Sequence, residues 1–313
     1  EKTEGIMKNK TLKNLIQNRT LLLMVLPSII LIIMFNYVPI YGVTIAFKDY
    51  NFTKGILGSE WVGFENFKFL IASKNLMWRL LRNTIGYWLL FNIVGTTANL
   101  ILAFALDECT GKRFVKYSHT MMIAPTFISY VAVTFIVTAF LDDSVGLVNK
   151  LLTTLGMETV QWYSSPGKWP GILLLVNLWK GTGYGCILYL SALTGMDREM
   201  LEAAELDGAG KLKQIFYIKL PMLLPMICIL QIMGLGGILS SNTGLFYQVT
   251  KNIGLLYPTT QTIDSYVLDA IMGGSNDWGV TGAVSLFQSS VGTIIVIATN
   301  LIVRRWEPDY ALF

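Results

Sequence analysis

The chain has 313 residues, of which 53% are hydrophobic and only 14% are charged. Soluble domains average about 25% charged residues, so this chain has too little charge to cover a water-facing surface of its size. The composition excludes a soluble globular protein, a disordered chain and a disulfide scaffold. The three cysteines are far apart and lack metal-ligand spacing, so neither a zinc site nor a disulfide framework is indicated.

Six long stretches carry almost no charge, and each is rich in Leu, Ile, Val, Met and Phe. A helix needs about 20 such residues to cross the hydrocarbon core of a bilayer. We therefore predict six transmembrane helices in a membrane domain of residues 20–303, between a segment 1–19 and a tail 304–313. The stretches are residues 20–47, 83–106, 117–141, 169–196, 220–250 (with the helix ending near Leu239, before a polar, Gly-rich loop) and 278–303.

Prolines and glycines predict local departures from straight, well-separated helices. Pro27 and Pro39 in the first stretch predict kinks or a helix end. In the fourth stretch, Gly181, Gly183 and Gly185 let neighbouring helices approach closely.

Basic residues are unevenly divided between the two sides of the predicted membrane domain. An even number of crossings places both termini on one side, and the segments of that side carry 14 Lys and Arg in about 66 residues, against 9 in about 104 on the other. Cytoplasmic segments carry the excess of positive charge, so both termini are predicted to be cytoplasmic. The net charge of +4 is modest, and nothing indicates a nucleic-acid partner.

The segment 197–219, between the fourth and fifth stretches, is longer than a connection requires and has a helix signal of its own. Asp197 is suited to cap a helix start, acidic residues crowd its first turns, and Gly208 or Gly210 can end it. We therefore predict a short acidic helix across the cytoplasmic face.

This short helix has two kinds of surface residue. An apolar stripe is predicted from Met200, Leu201, Ala204 and Leu206. Acidic side chains available to a basic partner are Glu202, Glu205 and Asp207. After the glycine break, Lys211, Lys213 and Lys219 are expected at the lipid surface.

The run Glu202-Ala203-Ala204, then Gly208, then Ile218-x-Leu220-Pro221 resembles the EAA signature of permease subunits in binding-protein-dependent ABC importers, and it matches every fixed position. Other runs resemble the branch of carbohydrate permeases that takes up oligosaccharide and polysaccharide fragments. They are Val38 to Tyr50, Trp179-Lys180-Gly181, Leu206 to Gly210 and Asp264 to Tyr266. The resemblance covers about Leu22 to Arg305, with a departure at the polar stretch Gly234 to Gly244.

The resemblance implies an all-α membrane protein with six transmembrane helices, the maltose-permease-like domain of a type I ABC importer in a bacterial cytoplasmic membrane. In that family the EAA helix is a coupling helix that docks into a cleft of a cytoplasmic ATPase. The residues expected to make this contact are Glu202, Ala203, Ala204, Asp207 and Gly208. The implied partners are a homologous second permease, two ATPase subunits, an extracytoplasmic solute-binding protein, a sugar substrate and membrane lipids.

The residues themselves agree that energy comes from another subunit. The segment most similar to a phosphate-binding loop is Gly208 to Lys211, which lacks the upstream glycine and is followed by Leu212. ATP and its Mg²⁺ are therefore expected on the partner ATPase. No cofactor, metal site or catalytic residue is expected in this chain. No Asp or Glu lies in the six stretches, which disfavours ion coupling. His119, the only histidine, is expected to have a structural role at the membrane interface.

Two other functions stay open at this stage. One is a membrane scaffold or signalling protein whose short helix recruits a cytoplasmic partner, and the other is an ion-coupled secondary carrier. Uptake that depends on ATP and partner subunits separates the importer from both.

Lys180 lies about 11 residues into the fourth stretch, where a lysine costs on the order of 3 kcal/mol unless it reaches water or a partner. It is either a cation of the translocation path, binding sugar hydroxyls or a carboxylate, or a contact to a partner subunit or to backbone carbonyls. A sugar path also needs amides and aromatic rings. The further path candidates are Asn92, Asn99, Asn177, Trp179, Tyr184, Gln231 and Gln288.

Overall fold

The computed structural model of the protein describes residues 18–273 and 277–306. Most of the predicted segment 1–19 and of the predicted tail 304–313 lies outside the described residues. The all-α prediction is confirmed, and the sheet found among the described residues is a ladder of two two-residue strands. Among the described residues, one compact unit comprises those up to Phe67 with Trp278–Ala283, and a second comprises those from Lys68 to Asp277 with those from Val284 onward.

The first unit begins with one long, irregular helical segment. Helix α1 (Arg19–Ile32) contains Pro27, and it continues as a π-helical turn (Ile33–Tyr37) and a 3-10 helix (Val38–Phe47) with Pro39 in its first turn. The change to a 3-10 helix at Pro39 confirms the departure from α-helix predicted there, because proline has no backbone N–H to donate. The α-helix continues past Pro27, where a kink stays a prediction.

The rest of the first unit is small and aromatic. Its elements are β1 (Lys48–Asp49), α2 (Gly55–Gly58), β2 (Glu60–Trp61) and a 3-10 turn (Glu65–Phe67). The strands pair antiparallel, with Lys48 opposite Trp61. The Phe47 ring stacks on Trp61 at 5.5 Å, and Phe52 packs edge-on against Trp278 at 5.2 Å. Aromatic clusters of this kind are typical of the membrane–water interface.

The second unit contains the remaining α-helices. They are α3 (Lys68–Ala72), α4 (Lys74–Asp107), α5 (Lys112–Ile123), α6 (Tyr130–Leu141), α7 (Leu147–Thr154), α8 (Trp169–Thr194), α9 (Arg198–Leu206), α10 (Lys211–Gln214), α11 (Leu220–Leu235), α12 (Tyr257–Thr260), α13 (Ile263–Met272) and α14 (Trp278–Trp306), whose first residues belong to the first unit. Shorter π-helical turns are Ile215–Lys219 and Gly244–Val249, and 3-10 turns are Ala124–Phe127, Trp162–Ser164, Pro166–Lys168 and Gly254–Leu256.

Five helical segments among the described residues are long and apolar enough to cross a membrane, and a bent pair gives a sixth if it counts as one crossing. The five are Arg19–Phe47, Lys74–Asp107, Pro166–Thr194, Lys211–Leu235 and Trp278–Arg305. The fifth predicted helix ends at Leu235 rather than near Leu239. These segments account for five of the six predicted stretches.

The third predicted stretch, residues 117–141, is not one straight helix. Lys112–Phe127 and Tyr130–Leu141 are inclined to each other by 99°. Pro125 lacks an N–H, Ile128 is extended, and the Ser129 hydroxyl accepts a hydrogen bond from the Ala132 N–H at 3.3 Å to start α6. Hydropathy does not register backbone direction, so the available signal for this break was Pro125 within the stretch.

The second unit is built around the packing of α4 against α8. A Cβ on Gly183 would overlap the Met122 carbonyl, and one on Gly185 would overlap the Asn99 amide. Close helix approach at these two glycines is confirmed, whereas Gly181 faces open space. The third stretch therefore packs closely against α8 just before its break.

Candidate functional site

The acidic helix predicted after the fourth stretch is present as α9 (Arg198–Leu206). The Asp197 carboxylate accepts a hydrogen bond from the Glu199 N–H at 3.0 Å, as predicted for the helix cap. Gly208 has φ +79°, a left-handed conformation that favours glycine and ends the helix. The Ala209 N–H then donates to the Ala204 carbonyl at 2.9 Å, so the turn leaving α9 is closed by backbone hydrogen bonds.

The apolar residues of α9 do not form the single stripe that was predicted. Leu206 is 90% exposed and Met200 is 45% exposed, on the same outward side as Ala203 and Asp207. Leu201 and Ala204 are half-buried on the other side. One apolar edge of the helix therefore packs against the rest of the protein, and a second apolar edge is exposed and not covered by any described residue.

Glu202 and Glu205 are exposed but line a cleft of about 260 Å³ between α9 and the ends of α4 and α8. Asp107, Glu108 and Lys211 line the same cleft. Asp207, the residue after the helix, is exposed beside Leu206 and does not line this cleft.

The sequence predicts Lys219 at the lipid surface, and this prediction is wrong. Its side chain is buried, its Nζ atom lies 2.5 Å from Asp107 Oδ2, and it also pairs with Glu108. Lys211–Leu235 is one helical segment, so Lys219 faces the acidic end of α4 instead of the lipid. A buried ammonium group requires such partners. The available signal was the Asp107-Glu108 pair directly after a charge-free stretch.

Lys180 lies at the break in the third stretch, with only 7% of its surface exposed. Its ammonium group donates to the backbone carbonyls of Pro125 at 2.9 Å and Ile128 at 2.5 Å, with Thr126 at 3.5 Å. It also lies 4.8 Å from the centre of the Tyr130 ring, within cation–π range. These contacts correspond to the backbone-carbonyl alternative stated above, and no described carboxylate pairs with Lys180.

Two polar cavities lie beside Lys180 and share Asn177 as a wall. One, of about 430 Å³, is lined by Lys180 and Asn177 together with Tyr130 and Asn242. The other, of about 220 Å³, is lined by residues of α4 and α8. Its polar lining residues are Asn92, Thr96, Asn99, Asn177 and Thr182.

The amides in these cavities have unused hydrogen-bonding capacity. Asn177 makes no hydrogen bond among the described residues, and the Asn99 Oδ1 atom is buried without a partner. Asn92 accepts only a long bond, 3.4 Å, from Thr96. The structure thus brings together Asn92, Asn99, Asn177 and Lys180, and it adds Asn242, which the sequence analysis did not select because it lies outside the predicted helices.

The remaining path candidates lie elsewhere. The Gln231 amide donates to Thr96 Oγ1 at 3.0 Å, and Gln288 is buried, donating to the Leu239 carbonyl at 2.8 Å and to Asp264. Tyr184 is 61% exposed and Trp179 is 43% exposed on the surface of α8. These four side chains line neither of the two polar cavities.

Comparison with known proteins gives consistent results along the chain. The family described as binding-protein-dependent transport system inner membrane component matches residues 95–308. Protein LplB of Bacillus subtilis (strain 168) is 32% identical over 294 residues, covering 94% of this chain and 91% of that protein. The polygalacturonan/rhamnogalacturonan transport system permease protein YteP of the same organism is 31% identical, covering 96% of this chain and 93% of that protein.

A solved structure extends the similarity to the fold. A chain in the crystal structure of a bacterial alginate ABC transporter, in complex with an alginate pentasaccharide-bound periplasmic protein, superposes with a TM-score of 0.83 at 29% identity. The match covers 94% of this chain and 96% of that one. The resemblance to carbohydrate permeases and the expected importer fold are confirmed. The chain belongs to the inner membrane components of binding-protein-dependent transport systems, and it is a permease subunit of an ABC importer.

Proposed function

We propose that this permease moves an oligosaccharide into the cell by alternating access, driven by ATP that separate ATPase subunits hydrolyse, with α9 as their docking element. The observation that carries the proposal is the outward edge of α9, where Leu206 is 90% exposed next to Ala203 and Asp207. Exposed apolar side chains grouped on one edge beside an acidic residue, here Leu206 and Met200 beside Asp207, are typical of a partner contact.

The contacts below α9 support its role as a lever. Gly208 ends the helix in a closed turn, and Gln214 donates to the Ala209 carbonyl at 3.0 Å, which ties the turn to α10. Lys219 then joins the start of the fifth crossing to Asp107 and Glu108 at the end of α4. Movement of α9 would therefore be passed to two crossings at once, as an alternating-access mechanism requires.

The two polar cavities form the proposed entry to the substrate path. Sugar hydroxyls both donate and accept hydrogen bonds, and an amide side chain offers two donors and an acceptor. Asn92, Asn99 and Asn177 supply such groups in the middle of α4 and α8, where apolar residues otherwise dominate. Asn177 faces both cavities and is the residue we place at their junction.

Among oligosaccharides, one observation favours those that carry carboxylates. The Lys180 ammonium group lies at the wall of the larger cavity, and no carboxylate among the described residues neutralises it. A fixed positive charge in a medium of low dielectric constant attracts anions. YteP is named for polygalacturonan and rhamnogalacturonan, and the matched crystal structure contains alginate, which supports the same choice.

The complete importer in this proposal contains a second, homologous permease, two ATPase subunits with their ATP and Mg²⁺, and an extracytoplasmic binding protein. The distribution of Lys and Arg supports an orientation with α9 and both termini in the cytoplasm. The proposed contacts to the ATPase are Glu202, Ala203, Ala204, Asp207 and Gly208, together with Leu206. Glu202 lies on the cleft side of α9, so it would meet the ATPase at the edge of the interface.

The test is uptake by the complex reconstituted with its partner subunits. Accumulation of a labelled oligogalacturonate should require ATP inside the vesicles, the ATPase and the binding protein together. A neutral oligosaccharide of the same length serves as the matched control for charge. Uptake driven by an ion gradient alone would identify a secondary carrier, and a complex that binds partners without any uptake would identify a scaffold; either result contradicts the proposal.

A further inference from the structure

A fourth cavity, of about 680 Å³, lies where the ends of α4 and α8 meet the start of α5. Apolar side chains form part of its wall, namely Leu106, Val115 and Leu190. Basic side chains from α5 and from the start of α10 form another part, namely Lys112, Lys116, His119 and Lys211. The cavity borders neither of the two amide-lined cavities.

The basic groups from α5 converge on this cavity and have capacity to spare. Lys112, Lys116 and His119 are spaced so that they share one face of the helix. Among the described residues, neither Lys112 nor Lys116 has an ion-pair or hydrogen-bond partner for its ammonium group. The Nε2 atom of His119 is buried and has no hydrogen-bond partner there either.

Two carboxylates also line the cavity, but their charge is already engaged. Asp107 and Glu108 both pair with the buried Lys219, and Glu108 lies 3.6 Å from Lys211. Four lysines thus face two carboxylates in and around the cavity, which leaves an excess of positive charge. The first turn of α5 has no side-chain cap, so its free N–H groups add a positive potential.

We propose that this cavity binds the phosphate-bearing headgroup of an anionic phospholipid. Ammonium, imidazole and helix N–H groups all suit phosphate oxygens. The apolar wall suits the start of an acyl chain, whereas a free phosphate ion would leave Leu106, Val115 and Leu190 uncovered. The cavity lies at the ends of membrane-crossing helices, the depth at which basic pockets meet headgroups.

The test measures lipid retained by the assembled complex. The complex is placed in nanodiscs of phosphatidylcholine with graded phosphatidylglycerol, extracted into detergent, and analysed for bound phosphatidylglycerol by native mass spectrometry. The double variant Lys112→Gln/Lys116→Gln should weaken phosphatidylglycerol retention about tenfold, because it removes two positive charges that attract the anionic headgroup.

The matched control is Arg113→Gln/Lys213→Gln. It removes the same two positive charges on the same side of the protein, from exposed residues that do not line the cavity. Retention should stay near that of the unmodified complex. Equal loss in both double variants would show general attraction to an anionic surface and overturn the proposal.

Two further measurements keep the result clear. The variant His119→Gln should also lower phosphatidylglycerol retention while its melting temperature stays unchanged. If the double variant Lys112→Gln/Lys116→Gln fails to fold, the single variants Lys112→Gln and Lys116→Gln replace it. Inorganic phosphate added to complex in pure phosphatidylcholine provides the second arm. Saturable phosphate binding without phosphatidylglycerol retention would identify a free anion as the ligand and overturn the lipid assignment.

Discussion

The Nζ atom of Lys219 lies 2.5 Å from Oδ2 of Asp107, although the two residues are 112 positions apart in the chain. The pair joins the segment that follows α9 to the end of α4. Since Lys219 also pairs with Glu108, one buried ammonium group meets two carboxylates. This contact connects the proposed docking element with a crossing that α9 does not directly continue.

Removal of the Lys219 charge tests this connection. Lys219→Met leaves Asp107 and Glu108 without their buried partner, which we expect to destabilise the complex by about 2 kcal/mol, less than for a fully buried pair because both carboxylates keep some exposure. Its melting temperature should fall, and that of the exposed control Lys213→Met should not. Adding Asp107→Asn and Glu108→Gln should restore part of the loss; no restoration would contradict the ion-pair explanation.

Leu206 tests the docking edge of α9. Leu206→Ser should reduce recovery of the ATPase with the purified permease about tenfold, because a buried leucine contributes about 1.5–3 kcal/mol at an interface. The melting temperature of the permease alone should not change, since Leu206 contacts little of its own chain. Leu212→Ser, at a residue that is 72% exposed on α10, is the matched control. Equal losses for both variants would argue against a specific edge.

Gly208 tests the turn that leaves α9. Gly208→Ala places a side chain at φ +79°, which costs about 1 kcal/mol, although the space around it is open. ATP-dependent uptake should fall several-fold while permease yield is kept. Gly210→Ala, where φ is −67° and the surroundings are equally open, should behave like the unmodified protein. A similar loss at Gly210 would point to loop flexibility instead of the left-handed turn.

Lys180 tests both of its proposed roles. Lys180→Met removes the donor from the carbonyls of Pro125 and Ile128, so the yield and melting temperature of the complex should fall. Per folded complex, the ratio of acidic to neutral oligosaccharide uptake should also fall, because the fixed charge is gone. Unchanged stability would contradict a structural role for the hydrogen bonds of Lys180 to these carbonyls. An unchanged uptake ratio would contradict the preference for carboxylates.

The pH dependence of the turn after α6 tests a local electrostatic effect. Hydrogen bonds from the Ser144 side chain and from the N–H groups of Val145 and Ser144 lower the pKa of Asp142 to about 2. A lowered pKa stabilises the folded turn above the unfolded value near 4, and this contribution is lost as the pH falls through about 2. Proteolysis of the turn should therefore increase between about pH 4 and pH 2 and stay constant above pH 5.

The control for that measurement is Asp142→Asn, which keeps an acceptor for the same N–H groups. Its turn should resist proteolysis at neutral pH and show no change between pH 4 and pH 2. An Asn variant with the acid sensitivity of the unmodified protein would show that another group is responsible.

Most of the fold could be predicted because absence of charge over about 20 residues is a local signal with one physical solution in a bilayer. The cap at Asp197 and the end at Gly208 were predictable for the same reason, since each depends on neighbours within a few residues. The EAA pattern likewise lies within 20 consecutive residues.

The features that escaped prediction all depend on residues far apart in the chain. The bend in the third crossing is held by Lys180 on another helix, and the place of Lys219 is set by Asp107 and Glu108. The outward edge of α9 follows from which side of the helix packs on the bundle, whereas the sequence predicted one apolar stripe from residues that lie on both sides. Asn242 joined the cavity only through folding.

The bend at Pro125 has a consequence for how the protein is made. The straight piece α6 has 12 residues, about 18 Å of helix, which is too short to cross a bilayer unaided. The lysine that satisfies its neighbouring carbonyls is synthesised 55 residues after Pro125. Because this lysine belongs to the fourth crossing, the third crossing obtains these hydrogen bonds only after the fourth has been synthesised.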